Sequence, residues 1–147
     1  MTINQVSVFL DNKPGRLAEV TKAIAQDDIN IRALYVADTT DFGVLRMIVD
    51  KPEKTLEVLK NSGFTAKITP VIAIYVEDRP GGLYNVIKEL SDAGISIEYV
   101  YAFTGRSEKS EAGVVVKVEH VENWSEEDFK TLKVKLLSRE DIANLFE

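Results

Sequence analysis

Cysteine is absent from the 147 residues, and histidine occurs once, at position 120. Without thiols the chain has no disulfide framework, no thiolate nucleophile and no soft-ligand metal centre. His120 has no evident serine–aspartate or cysteine partner, so neither a catalytic residue nor enzyme activity is expected. Positive charge is also in short supply: 18 lysines and arginines stand against 24 aspartates and glutamates, a formal net charge of -6. That balance opposes binding to a phosphate backbone, whose affinity comes largely from cations, and no nucleic-acid partner is expected. Long apolar runs are missing too. The first, residues 6–10, follows no basic segment, so neither a secretion signal nor a membrane span is expected and a cytoplasmic location follows by default. There is no phosphate loop and no G-x-G-x-x-G. The acidic run Glu126-Glu127-Asp128 reads as the first turn of a helix, where carboxylates complement the dipole, and no metal or cofactor is expected.

What the chain does contain is a repeat. Asp11-Asn12-Lys13-Pro14-Gly15-Arg16-Leu17 returns 66 residues later as Glu77-Asp78-Arg79-Pro80-Gly81-Gly82-Leu83. The same offset pairs Val20 with Val86, Lys22 with Lys88, Ile29 with Ile95, Ile31 with Ile97 and Tyr35 with Tyr101. Each half is therefore one folding unit with its own copy of any site. In each, an apolar strand leads into the Pro-Gly step, where Pro14 suits the first turn of a helix. Leu17, Val20, Ala23 and Ile24 then recur at helical spacing, as do Leu83, Val86, Ile87 and Leu90. Alternating segments at 29–36 and 95–101 predict strands, and polar clusters at 38–41 and 104–111 predict turns, the second taken as four residues longer. Strands at 44–49 and 114–118 follow. Helices are expected at 52–61 and 125–132, the latter with Ser125 as N-cap and a Trp124–Phe129 staple. Strands near 66–69 and 134–137 close each unit, and a short C-terminal helix starts at Ser138. The fold class is α+β: two ferredoxin-like β-α-β-β-α-β units, residues 1–70 and 71–147, paired into a sheet with helices on one face. Thr69-Pro70-Val71 leaves almost no linker between them.

The repeated loop, followed one helix later by Ile29-Asn30-Ile31 and Ile95-Ser96-Ile97, resembles the ACT domain, an amino-acid-sensing module attached to many enzymes of amino-acid metabolism. The resemblance covers nearly the whole chain. It implies a stand-alone ACT pair that binds a small molecule, an amino acid, as a regulator or sensor. The alternative it leaves is a non-catalytic subunit acting by protein–protein contact on a metabolic enzyme. It further implies pairing of units into one sheet, an enzyme of amino-acid metabolism as partner, and a homodimer of chains. In serine-sensing members, one amide of the first loop and another just after the first helix hold the ligand. Those positions fall on Asn12 and Asn30 here, and on Asp78 and Ser96 in the second half. A histidine two residues before the loop amide falls on Leu10 and Val76, so serine itself is not implied.

Elementary chemistry supports the same residues. A helix N-terminus offers N–H groups and partial positive charge to a carboxylate. Pro14, Gly15, Arg16 and Leu17, with Gly81, Gly82 and Leu83, line the two candidate sites, and their glycines would let backbone approach a ligand. Asn12 and Asn30 can donate and accept. The competing reading is that Asn12 and Asp78 satisfy the turn while Asn30 and Ser96 open a strand. Pseudo-symmetry would combine Asn12 with Ser96 in one junction site and Asp78 with Asn30 in the other, with the Asn12 site dominant because an ionised Asp78 repels a carboxylate.

Overall fold

The computed structural model describes residues 1–38, 41–105 and 111–146, so the predicted turns at 38–41 and 104–111 lie partly outside the described residues. The chain divides into two compact units, Asn4–Thr69 and a second made of Pro70–Glu147 with Met1–Ile3. In chain order the first half builds β1 (Ile3–Asp11), α1 (Arg16–Gln26), β2 (Ile31–Asp38), β3 (Phe42–Val49) and α2 (Pro52–Asn61). β4 (Thr65–Glu77) then runs unbroken across the unit boundary, through Pro70. Two strands are predicted there from the sequence; the structure makes them one.

Within the first unit, β3 lies between β2 and β1, antiparallel to both, with Val8 opposite Leu45 and Leu34 opposite Met47. The start of β4 lies beside β1, where the Ser7 and Thr69 hydroxyls meet at 2.9 Å. The strand order is therefore 2-3-1-4. Alternation turns Val6, Val8, Leu10, Leu45, Met47 and Val49 to one face. There they pack with Val20 and Ile24 of α1 and Leu59 of α2 into one buried cluster. Each such side chain is worth about 1.5–3 kcal/mol when fully removed from water.

The second unit repeats the plan: β4, α3 (Gly82–Asp92), β5 (Ile97–Thr104), β6 (Glu111–Val118), a 3-10 turn (Val121–Asn123), α4 (Glu126–Lys130) and α5 (Arg139–Phe146). β6 lies between β5 and β4. The fourth strand, predicted at 134–137, is reduced to one bridge between Ile74 and Leu136, with Tyr75 N–H donating to Lys135 C=O and Leu137 N–H to Ala73 C=O, both at 2.8 Å. α4 is likewise shorter than predicted, but its start is as expected. The Ser125 hydroxyl accepts from Asp128 N–H, the Asp128 carboxylate accepts from Ser125 N–H, and the Trp124 and Phe129 rings lie 5.2 Å apart.

Strand registers correct one expectation. Val8 faces Leu45, and its counterpart Ile74 faces Val114; Ala37 faces Val44, and its counterpart Phe103 faces Gly113. The offset between β3 and β6 is thus 69, so the second turn is three residues longer, not four. The difference matters because it sets Phe103/Gly113 in the place of Ala37/Val44. A Cβ on Gly113 would sit 2.2 Å from Phe103 Cζ, so glycine is what lets this ring lie across β6. The ring in turn stacks on Phe146 of α5 at 6.1 Å. Ala102 faces Val114 of the α3-side cluster, so its neighbour Phe103 points the other way and α5 covers the sheet face away from α3.

Two measurements follow. Gly113→Val should destabilise the chain by about 1–3 kcal/mol, the usual cost of overpacking. Adding Phe103→Ala restores the size pattern of the first unit, so urea unfolding of the double variant should show a coupling of at least about 1 kcal/mol in its favour. Additive losses would mean the two residues are independent. The second concerns α5, where the Asp141 carboxylate accepts from Ser138 N–H at 2.7 Å and from its hydroxyl at 2.8 Å. The backbone bond first, and the hydroxyl second, hold this carboxyl below its ordinary 3.8. A carboxyl depressed on folding contributes stability that is full above its unfolded value and lost as pH falls through the folded one. The stability lost by Asp141→Asn, measured by thermal unfolding, should therefore be largest near neutrality and shrink below about pH 3.8.

Candidate functional site

Each Pro-Gly step is a type II turn that delivers the chain directly into a helix. Arg16 N–H donates to Lys13 C=O at 3.4 Å, and Gly15 adopts φ 88°, ψ -9°. Gly82 N–H donates to Arg79 C=O at 3.0 Å, and Gly81 adopts φ 85°, ψ -9°. Proline fits the first central position and a left-handed glycine the second. Pro14 is therefore a turn residue one position before the N-cap, not part of the first helical turn as predicted; its fixed φ serves the turn instead.

No side chain caps either helix. The first intrahelical bonds run from Glu19 N–H to Gly15 C=O at 2.9 Å and from Asn85 N–H to Gly81 C=O at 3.0 Å. The amides of Leu17 and Ala18, and of Leu83 and Tyr84, precede that ladder at the positive end of the dipole. Two such ends, built alike, can each accept one oxyanion.

The side chains around them differ between halves. Asn12 is exposed; its backbone N–H reaches Asp41 C=O at 3.4 Å, and its carboxamide makes no hydrogen bond among the described residues. Asp78 is exposed as well. The Arg16 guanidinium bridges Asp11 at 3.1 Å and Glu19 at 3.0 Å while lying 5.6 Å over the Phe64 ring. Its hydrogen bond, ahead of weaker backbone and charge effects, pulls the Asp11 carboxyl below the usual carboxylate range. Arg16 is thereby committed within its own unit. The spacing of Asp11 and Arg16 across the turn hints at that pair; nothing in the sequence points to Phe64.

Asn30 is committed too. Its N–H donates to Asp50 Oδ1 at 3.0 Å, its carboxamide lies 3.5 Å from Asp50 Oδ2, and its C=O accepts from Asp50 N–H at 3.1 Å. The Ser96 C=O accepts from Glu119 N–H at 3.3 Å in the corresponding place. Both residues open a strand. Leu17 and Leu83 are half exposed beside their turns.

The glycines play separate parts. Beside Gly15 and Gly81 a Cβ would meet nothing within 4 Å, so these residues are demanded by the sign of φ rather than by space. At Gly82, which is buried, a Cβ would lie 2.1 Å from Glu77 C=O. Gly82 thus makes a close approach to the protein's own backbone. Gly15→Ala should cost about 1–2 kcal/mol, the left-handed penalty. Gly82→Ala should cost more, about 2–3 kcal/mol, since α3 must move off β4. Equal urea midpoints for the two variants would contradict this division.

The fold and the paired turns define a regulatory-type tandem domain. A model of the ACT domain pair family matches residues 1–145, and the chain belongs to that family. It is 40% identical to the protein BT0572 from Bacteroides thetaiotaomicron, over 97% of this chain and 96% of that one, with a TM-score of 0.84. The ligand-free regulatory subunit of aspartate kinase from Thermus thermophilus shares the fold at 16% identity and TM-score 0.59, covering 98% and 93% of the two chains. The corresponding subunit from Thermus flavus does so at 14% and 0.53, covering 99% and 94%. No protein of curated function matches.

Proposed function

We propose that this ACT pair is a non-catalytic sensor that binds a free amino acid at its Pro-Gly turns and transmits occupancy to an enzyme of amino-acid metabolism. The observation that carries the reading is the duplicated type II turn, which leaves two uncapped helix N-termini open to a carboxylate. Asn12 supports it, as an exposed carboxamide beside one of those termini that can bond either end of an amino acid. Asp78, in the same place in the second half, favours an ammonium and disfavours a carboxylate, so the first turn is the better site. Fold likeness to regulatory subunits of aspartate kinase is compatible with a partner enzyme.

A second reading, regulation chiefly by protein contact, has its own observation. β2 is the outermost strand of its unit and β5 of its own, and each presents exposed apolar side chains: Leu34 and Val36 on the first, Val100 on the second. Such edges favour pairing with another chain.

Thermal unfolding in the presence of each of the twenty common amino acids separates the two. A ligand at about a hundred times its dissociation constant adds about 2.7 kcal/mol. For a chain of this size, that should raise the midpoint by several degrees, at roughly 2–4 °C per kcal/mol. One amino acid or a close chemical group is expected to stand out. Asn12→Ala should weaken its binding by about 1–3 kcal/mol in titration calorimetry, and Asp78→Ala by less. If no amino acid shifts the midpoint at millimolar concentration, the contact reading replaces the sensor.

A further inference from the structure

On the helix-bearing face of the first unit, exposed apolar side chains gather on one side of α1. Val20 and Ile24 mark the line along which this helix meets the core. Arg16 lies to one side of that line and reaches Phe64, just before β4. Leu17, about 100° further around the helix, lies to the other side, toward β2 at the opposite edge of the unit. On β2, Leu34 and Val36 stand opposite Met47 and Leu45, whose side chains lie in that core, so both point to the face that carries α1. Leu17, Leu34 and Val36 are nevertheless 43%, 46% and 41% exposed. They form an open apolar shelf between α1 and the edge strand.

One end of the shelf adjoins the Pro-Gly turn. Leu17 lies in the first turn of α1, and its amide precedes the helical ladder that Glu19 N–H begins. Val36 Cγ1 and Leu10 C=O both lie within 4.0 Å of the point where a Cβ on Gly43 would stand, which sets Val36 beside the end of β1 from which the turn springs. Repetition argues that the shelf is used. Leu83 stands in the place of Leu17 and Val100 in that of Leu34, and they are 47% and 38% exposed. A single leucine in water needs no explanation; the same exposures on both copies of a repeat do.

Resting on the reading that the first turn binds a free amino acid, we infer that this ligand carries an apolar side chain. The side chain lies along Leu17, Val36 and Leu34 while the α-carboxylate meets the amides at the start of α1. A charged or strongly polar side chain would lose water on this shelf and find no partner there. The second shelf has Val100 for Leu34 and Ala102 for Val36, so it carries less apolar surface and holds such a ligand less well.

Titration calorimetry of the full chain with alanine, valine and leucine in turn reads the shelf directly. Each added carbon that leaves water strengthens binding by up to about fourfold, so leucine should bind about tenfold or more tightly than alanine. Serine, aspartate and lysine should bind no better than alanine. Leu17→Gln/Val36→Thr keeps the helix and strand preferences of both positions, and should weaken leucine by about tenfold while leaving alanine nearly unchanged. Both positions are exposed, and the melting midpoint without ligand reports whether the fold is kept. A flat series, or a polar amino acid as the tightest ligand, overturns the apolar class and leaves the sensor reading intact. Leucine binding that the double variant does not weaken overturns the shelf. If no amino acid binds at all, the sensor reading fails and this inference with it. Sedimentation equilibrium on the same samples tests the other occupant: self-association that the double variant abolishes, with amino-acid affinity unchanged, would give the shelf to a second copy and overturn the inference.

Discussion

A single backbone constraint, the left-handed glycine that ends each type II turn, sets the rest of the molecule in place. At Gly15 and Gly81 the chain must pass from strand to helix within four residues, and φ values of 88° and 85° are what allow it. No other residue type adopts them cheaply. From that step follow the start of each first helix, the face that its apolar stripe presents to the sheet, and the exposure of amides ahead of the helical ladder. Pro14 and Pro80 narrow the unfolded ensemble in favour of the same turn. The two turns have stayed alike in sequence and in angle for that reason.

Divergence begins one residue later. Arg16 carries a long side chain that is used inside its own unit, clamped between two carboxylates and an aromatic ring. Gly82 carries none, because the end of β4 passes too near. The same exchange of large for small occurs across the strands, where Ala37 and Val44 in one half answer to Phe103 and Gly113 in the other. There the enlarged ring reaches out of the sheet to meet Phe146. Close packing allows such exchanges only in compensated pairs. Duplication supplied one plan, and the halves diverge from it differently: the first in an ion-paired surface, the second in a covered sheet face.

Much of this was legible in the sequence. The repeat, the order of elements, the fold class and the Ser125 cap are all local patterns, and local patterns survive without coordinates. The length of the second turn was not. Val114, Val115 and Val116 are all buried, so period-two alternation, the usual guide to register, carries no signal along β6. The reason is α5, whose Phe146 covers the face that would otherwise show polar residues. Likewise, Gly81 and Gly82 look equivalent in sequence although one is required for its torsion and the other for its lack of a side chain. Asn30 looked as free as Asn12 because its partner, Asp50, lies twenty residues away.

That last contact bears on how a ligand would be held. The Asn12 carboxamide makes no hydrogen bond among the described residues, so a ligand there would have no such bond to break. Asn30 shares one carboxamide N–H with Asp50 at 3.5 Å, which fixes the orientation in which its Oδ1 and second N–H would meet a ligand. On the proposed reading, selectivity between amino acids would come from the turn side, where the uncapped helix end would hold one charged group and Asn12 would meet what lies beside it. The strand-start residues, Asn30 and Ser96, also hold β2 and β5 to their neighbours through Asp50 and Glu119. Were the exposed turns to recognise a ligand, they would discriminate only as sharply as the frame behind them is rigid, and these bonds are part of that frame.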